Sequence, residues 1–163
     1  MFDGYLSLEG FAYRLSAELV DSVDCEGGYE NVMQRLGWRD MSRCHIDEIS
    51  CRFLEQYWED VLLLAMNLKD RGEDEKAMEV LDKTLKEVPM NRIQKASIGA
   101  KLVSLYATLG AENRAKLLKE ELQERLKEEL RYYYTVNPKR QGYIAYEIKP
   151  REEALELIEK INL

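Results

Sequence analysis

Cys44-His45, with Asp47 and Cys51, places thiol, imidazole and carboxylate within eight residues. A thiol beside an imidazole is the pair from which a nucleophile and its base are made, and all three residue types ligate zinc. If the stretch opens a helix, Cys44, Asp47 or Glu48, and Cys51 share one face, so a small metal- or thiol-dependent protein is one reading. A metal site usually needs about four convergent groups. The competing reading makes Cys44 and Cys51 small core residues beside a histidine near a helix start. Cys25, Cys44 and Cys51 are an odd number with no CxxC pair, which indicates neither a disulfide framework nor a zinc site.

A second group lies between residues 132 and 151. Lys139, Arg140, Lys149 and Arg151 interleave with Tyr132, Tyr133, Tyr134, Tyr143 and Tyr146. Rings beside cations can stack bases or sugars and hold phosphate, the chemistry of glycan or nucleic-acid binding. The competing reading is a rim of tyrosines covering the last helices, with solvated charges at a turn. The net charge of −7 opposes a nucleic-acid partner or an anionic membrane, whose binding draws on clustered Lys and Arg. Asp and Glu occur throughout, and a solvated helix face explains most of them. P-loop, dinucleotide-binding, GxSxG and HExxH patterns are missing, so no cofactor and no catalytic residue is assigned.

The elements that must carry these groups are mostly helical. Hydrophobic residues make up 45% of the 163 and charged residues 34%, as in an ordinary globular chain, and no run approaches the roughly 20 apolar residues of a membrane span. The N-terminus MFDGYLSLEG lacks the basic start and apolar core of a signal peptide. Leu6/Leu8 and Phe11/Tyr13/Leu15 alternate around Gly10, predicting a short strand or hairpin. Residues 17–28 read as a loop, and Tyr29–Leu36 as one or two helical turns ending at Gly37. From Ile46 the positions Ile49, Phe53, Tyr57, Val61, Leu64 and Leu68 predict a long helix stopped by Gly72. Helices follow over 73–88, 92–109 and 112–134, the last with a coiled coil as the weaker alternative. Tyr143–Ile148 reads as a strand, and Pro150 as the start of a last short helix packed through Ala154, Leu157, Ile158 and Ile161.

Within this pattern the chain repeats itself. Leu64, Leu68, Gly72 and Ala77 recur as Leu102, Tyr106, Gly110 and Ala115, each shifted by 38 positions. A turn glycine followed five residues later by a small residue, where two helices must approach closely, is the grammar of a tetratricopeptide hairpin, whose usual period is about 34 residues. Pro89 closes the first copy; the second has no such proline. The fold class expected is mainly α: two degenerate tetratricopeptide-like hairpins with short capping strands at both ends. As one domain, 1–163 divides into an N-terminal strand and loop cap (1–44), repeat one (45–91), repeat two (92–135) and a strand and helix cap (136–163). In such folds the first helix of each hairpin lines a concave surface, here Glu59, Leu62, Met66 and Lys69 from one copy and Ser97, Ala100 and Ser104 from the other. Unless the N-terminal segment fills that groove, it is the partner-binding site.

Glu9-Gly10-Phe11-Ala12-Tyr13-Arg14-Leu15, Asn31-Val32-Met33, Gly37-Trp38-Arg39-Asp40-Met41 and the hairpin with Gly72, Ala77, Leu81-Asp82 and Pro89 extend the pattern over nearly the whole chain. Together they resemble the C-terminal soluble region of large bacterial multi-pass membrane proteins, whose N-terminal part is similar to glycosyltransferases of the protein O-mannosyltransferase type. The resemblance implies a tetratricopeptide-like tail on the extracytoplasmic (periplasmic) side, with any catalysis in a membrane domain outside this chain. It also implies a non-catalytic interaction or scaffold module, whose partner is a protein, a peptide or its own membrane domain.

Overall fold

A computed structural model of the chain describes residues 4–9, 12–35, 45–136 and 138–162, with the side chains of residues 35, 138–141 and 143 outside the description. Gly10, Phe11, the expected helix stop at Gly37, the Gly37–Met41 motif and Cys44 lie outside it. The elements in order are strands β1 (Leu6–Leu8) and β2 (Tyr13–Leu15), then α1 (Cys25–Glu30), which continues into a π-helical turn, Asn31–Arg35. Helices α2 (Glu48–Asp70), α3 (Asp74–Glu87), α4 (Ala96–Thr108), α5 (Glu112–Thr135) and α6 (Pro138–Lys160) follow, with a short 3-10 turn at Met90–Arg92 before α4. The chain is mainly helical, and it divides into two compact units, Met1–Gln94 and Lys95–Leu163.

The first unit is organised on the α2–α3 hairpin. Asp47 caps α2, its carboxylate accepting from the Ser50 amide at 2.8 Å and the Ser50 hydroxyl at 3.1 Å. Leu54, Tyr57, Trp58, Val61, Leu64 and Leu68 are buried and meet Ala77, Val80, Leu81 and Thr84 of α3. The Trp58 indole N–H donates to the Val88 carbonyl at 3.1 Å, which satisfies an otherwise orphaned group where Pro89 ends the hairpin. The first two turns of α2 correct the expected apolar face: Ile49 and Phe53 are about 70% exposed. At 100° per residue the buried arc, set by Cys51, Leu54, Tyr57 and Trp58, leaves positions 49 and 53 on its far side.

The N-terminal segment covers this hairpin. β1 and β2 pair antiparallel, Leu6 opposite Leu15, as the period-two pattern predicts. Leu8 also bridges Val23 in parallel, and both are buried. Residues 17–28 are not all loop. Asp24 caps α1 by accepting from the Gly27 amide at 3.0 Å, so the helix begins at Cys25. Tyr29 donates to Glu79 of α3, the Lys76 ammonium lies 5.5 Å from the Tyr29 ring, and Arg71 meets Asp21 at 3.0 Å. A hairpin of three-residue strands is marginal alone; the Leu8 amide donates to Ser22 O and the Asp24 amide to Leu8 O, both at 2.9 Å, which ties it to the segment leading into α1.

The second unit is a bundle of α4, α5 and α6, with α6 packed against both others. Ala115, Leu118, Leu122, Leu126 and Leu130 line the inner face of α5 as predicted. The C-terminal segment corrects two expectations. Tyr143–Ile148 is helical rather than a strand, and Pro150 lies inside α6 rather than at its start. Tyr and Ile favour strands in isolation, yet the less exposed positions 144, 147 and 148 follow the i, i+3, i+4 spacing of a packed helix. Ala154 and Ile158 are buried and Leu157 is 55% exposed, so Leu157 is not among the packing residues.

The 38-residue repeat is written into the backbone. The Gly72 amide donates to Lys69 O at 2.8 Å and the Glu73 amide to Leu68 O at 2.9 Å; the Gly110 amide donates to Ala107 O at 3.2 Å and the Ala111 amide to Tyr106 O at 2.9 Å. Both are Schellman turns with the glycine in the left-handed region, at φ of +80° and +76°. Ala77 and Ala115, five residues on, are both fully buried.

Candidate functional site

Two helices of the second unit leave an open groove between them. α5 and α6 run antiparallel, and their facing side chains enclose about 830 Å³. Lys127 and Arg131, one helical turn apart, form the α5 wall; Glu152, Glu156 and Glu159 form the α6 wall. Leu130 and Leu155 make an apolar floor. Two contacts cross it: Lys127 reaches Glu159 at 4.0 Å, and the Tyr134 hydroxyl donates to Glu152. Glu156 pairs with Lys160 at 3.6 Å. Arg131 is exposed and carries no ion pair among the described residues.

On the other side of the α5–α6 seam Arg151 is 8% exposed. Its Nε donates to Glu129 at 2.6 Å, and one terminal nitrogen donates to the Glu147 carboxylate at 2.6 Å and the Glu147 carbonyl at 2.8 Å. That carbonyl is next in the chain to the one Pro150 leaves without a helical donor. The guanidinium also lies 5.0 Å from the Tyr133 ring. Burial alone would lower the Arg151 pKa, but the bonds to Glu129 and Glu147 outweigh it and raise it. A cation held this way is committed to joining α5 and α6 and is not free to grip a phosphate.

This changes the Tyr/Lys segment expected to bind glycan or nucleic acid. Residues 132–135 are the end of α5, and residues 138–151 belong to α6. Tyr132, Tyr134 and Tyr146 are exposed, Tyr133 is packed under Arg151, and Lys149 pairs with Glu153 at 3.8 Å. Lys139, Arg140 and Tyr143 have side chains outside the description.

The thiol group is likewise dispersed. His45 is exposed, and Asp47 is the cap of α2, its pKa lowered by its bonds to the Ser50 backbone and side chain. Cys51 is 6% exposed and points to the Arg92 carbonyl, 3.5 Å away. Burial and the nearby Glu55 carboxylate raise its pKa, which opposes the thiolate a nucleophile or metal ligand requires. Among the described residues no three His, Cys, Asp or Glu side chains gather to hold a metal.

Of the expected groove residues, Met66 on α2 is 48% exposed and Ser104 on α4 is exposed, while Glu59, Lys69 and Ser97 are half-buried. Leu62 and Ala100, at 2% and 4% exposure, are core residues rather than lining. Each sits at the edge of its helix's wide apolar arc, where a pattern carried over from another repeat misplaces the boundary. The α5–α6 groove escaped the sequence reading because the acidic stripe Glu152-Glu156-Glu159 gains a facing wall only if α6 extends back to Pro138. Pro at a first helical position followed by Lys-Arg-Gln is the signal that could have found it.

No family model, curated protein or solved structure matches the chain. No helix among the described residues is long and apolar enough to cross a membrane.

Proposed function

We propose that this chain is a non-catalytic protein-interaction or scaffold module built on two degenerate tetratricopeptide-like hairpins. The observation that carries the reading is the repeated Schellman turn. Two helix pairs, with glycines 38 positions apart and fully buried alanines at matching sites, close through the same pair of hydrogen bonds. A fold spent on repeating a rigid helix pair presents side chains on helix faces rather than converging them on a reaction centre. On α2 the outward side chains include Phe53, Leu63 and Met66, more apolar than a solvated face requires. By resemblance, the module is the extracytoplasmic tail of a membrane glycosyltransferase-like protein, and its partner is a protein, a peptide or that protein's own membrane domain.

Photo-crosslinking from α2 tests this. A crosslinker placed at Met66 is expected to give one discrete adduct in native membranes, abolished by Leu63→Lys one turn away, whereas one placed at exposed Lys101 gives none. Equal or diffuse labelling from both positions would overturn the interaction reading.

A further inference from the structure

We propose that the α5–α6 groove seats an amphipathic helical peptide, anchored by apolar side chains on the Leu130–Leu155 floor and oriented by walls of opposite charge. The assignment extends the interaction reading to a second surface and is tested independently of α2.

The geometry favours a helix over other ligands. From Lys127 to Tyr134 the α5 wall rises about 10.5 Å, the distance covered by anchors at i, i+3 and i+7 of a helix. Both walls are helices whose backbone groups are internally bonded, so no ladder is offered to an extended strand. Ridges of side chains are instead offered to a third helix packing between them. Between the two contacts that cross it, Lys127–Glu159 and Tyr134–Glu152, the groove is open to solvent, unlike the enclosed pockets that bury most of a small ligand.

Charge narrows the partner further. A uniformly anionic ligand, such as a nucleic-acid backbone or an acidic membrane surface, would face Glu152, Glu156 and Glu159, and a uniformly basic peptide would face Lys127 and Arg131. The complementary partner carries acidic residues along the flank facing α5 and basic residues along the flank facing α6, separated by an apolar stripe. Arg131, exposed and without an ion pair among the described residues, is the first point of contact for the acidic flank. The Lys127–Glu159 contact is long and the Tyr134–Glu152 bond lies at the surface, so exchanging both for contacts with the partner costs little.

The experiment titrates the isotopically labelled full chain with three synthetic peptides of about 18 residues, long enough to populate helix on an Ala framework. All three share Leu at i, i+3 and i+7; one carries Glu on one flank and Lys on the other, one Glu on both, one Lys on both. The split-charge peptide is expected to give saturable amide shifts confined to residues 127–135 and 152–159, with the uniform peptides at least tenfold weaker. Arg131→Glu, an exposed substitution that leaves the helical signal unchanged, should reverse the preference towards the Lys-flanked peptide. Equal binding of the three peptides, shifts centred elsewhere, no saturable shift at millimolar peptide, or no change of preference in Arg131→Glu would each overturn the proposal.

Discussion

Asp60 sits on α2 at 4% exposure, its carboxylate accepting from the Gln56 side-chain amide at 3.0 Å. Burial pushes its pKa up and the neighbouring Glu59 adds to the rise, while the Gln56 bond opposes it. An acid whose pKa is raised by folding contributes stability in its protonated form. That contribution is complete below the unfolded pKa and is lost as pH rises through the folded one. Asp60→Asn keeps the bond to Gln56 and removes the buried charge. It should therefore stabilise the first unit at pH 7, by on the order of 1 kcal/mol, with the gain shrinking towards pH 4; thermal melts at the two pH values check this. Arg151 shows the opposite case, a buried charge with its donors engaged by two carboxylates and a carbonyl. Asp60 was not legible in the sequence: at 100° per residue it falls between the exposed Ile49 and Phe53, at the edge of the buried arc rather than within it. Arg151 was not legible either, because its partner Glu129 is brought to it by the packing of α5 on α6.

The two Schellman turns make the hairpins the most readable elements of the chain. An added Cβ at Gly72 or Gly110 meets nothing within 4 Å, so an alanine there is penalised by the left-handed backbone rather than by a clash. Gly72→Ala and Gly110→Ala should each cost about 1 kcal/mol and by similar amounts, with Asn at either site costing less. Chemical denaturation of the four variants measures this, and a large loss from one site alone would show that the turns are not equivalent. Glycine and the 3.6-residue period act locally, which is why the starts and stops of α2 through α5 could be read within a few residues. α6 could not. Its Tyr-Ile-Ala-Tyr run suits a strand in isolation, and packing against α4 and α5 decides otherwise. The expected recognition surface shifted for a related reason: whether Leu62 or Ala100 faces outward depends on the width of the buried arc, which the spacing of apolar residues leaves loose.

At the scale of the molecule, each unit has its own core: Trp58, Leu64 and Leu81 are fully buried in the first, Leu102, Leu122 and Ile158 in the second. Chains of this size often fold alone when helix-rich. The fragment 95–163 should therefore retain most of its helical circular dichroism and melt cooperatively; a fragment without a cooperative transition would contradict the division at Gln94. The β1–β2 pairing and the matching turns at Gly72 and Gly110 were visible in the sequence, because alternation and a 38-residue echo survive without tertiary contacts. Cys25 and Cys51 carry a consequence for the whole chain. Each is buried and free, and burial raises both thiols. A protonated, enclosed sulfur is a poor partner for disulfide exchange and a slow target for peroxide. Both positions are thus slow to react with oxidants or with other thiols while the fold is intact.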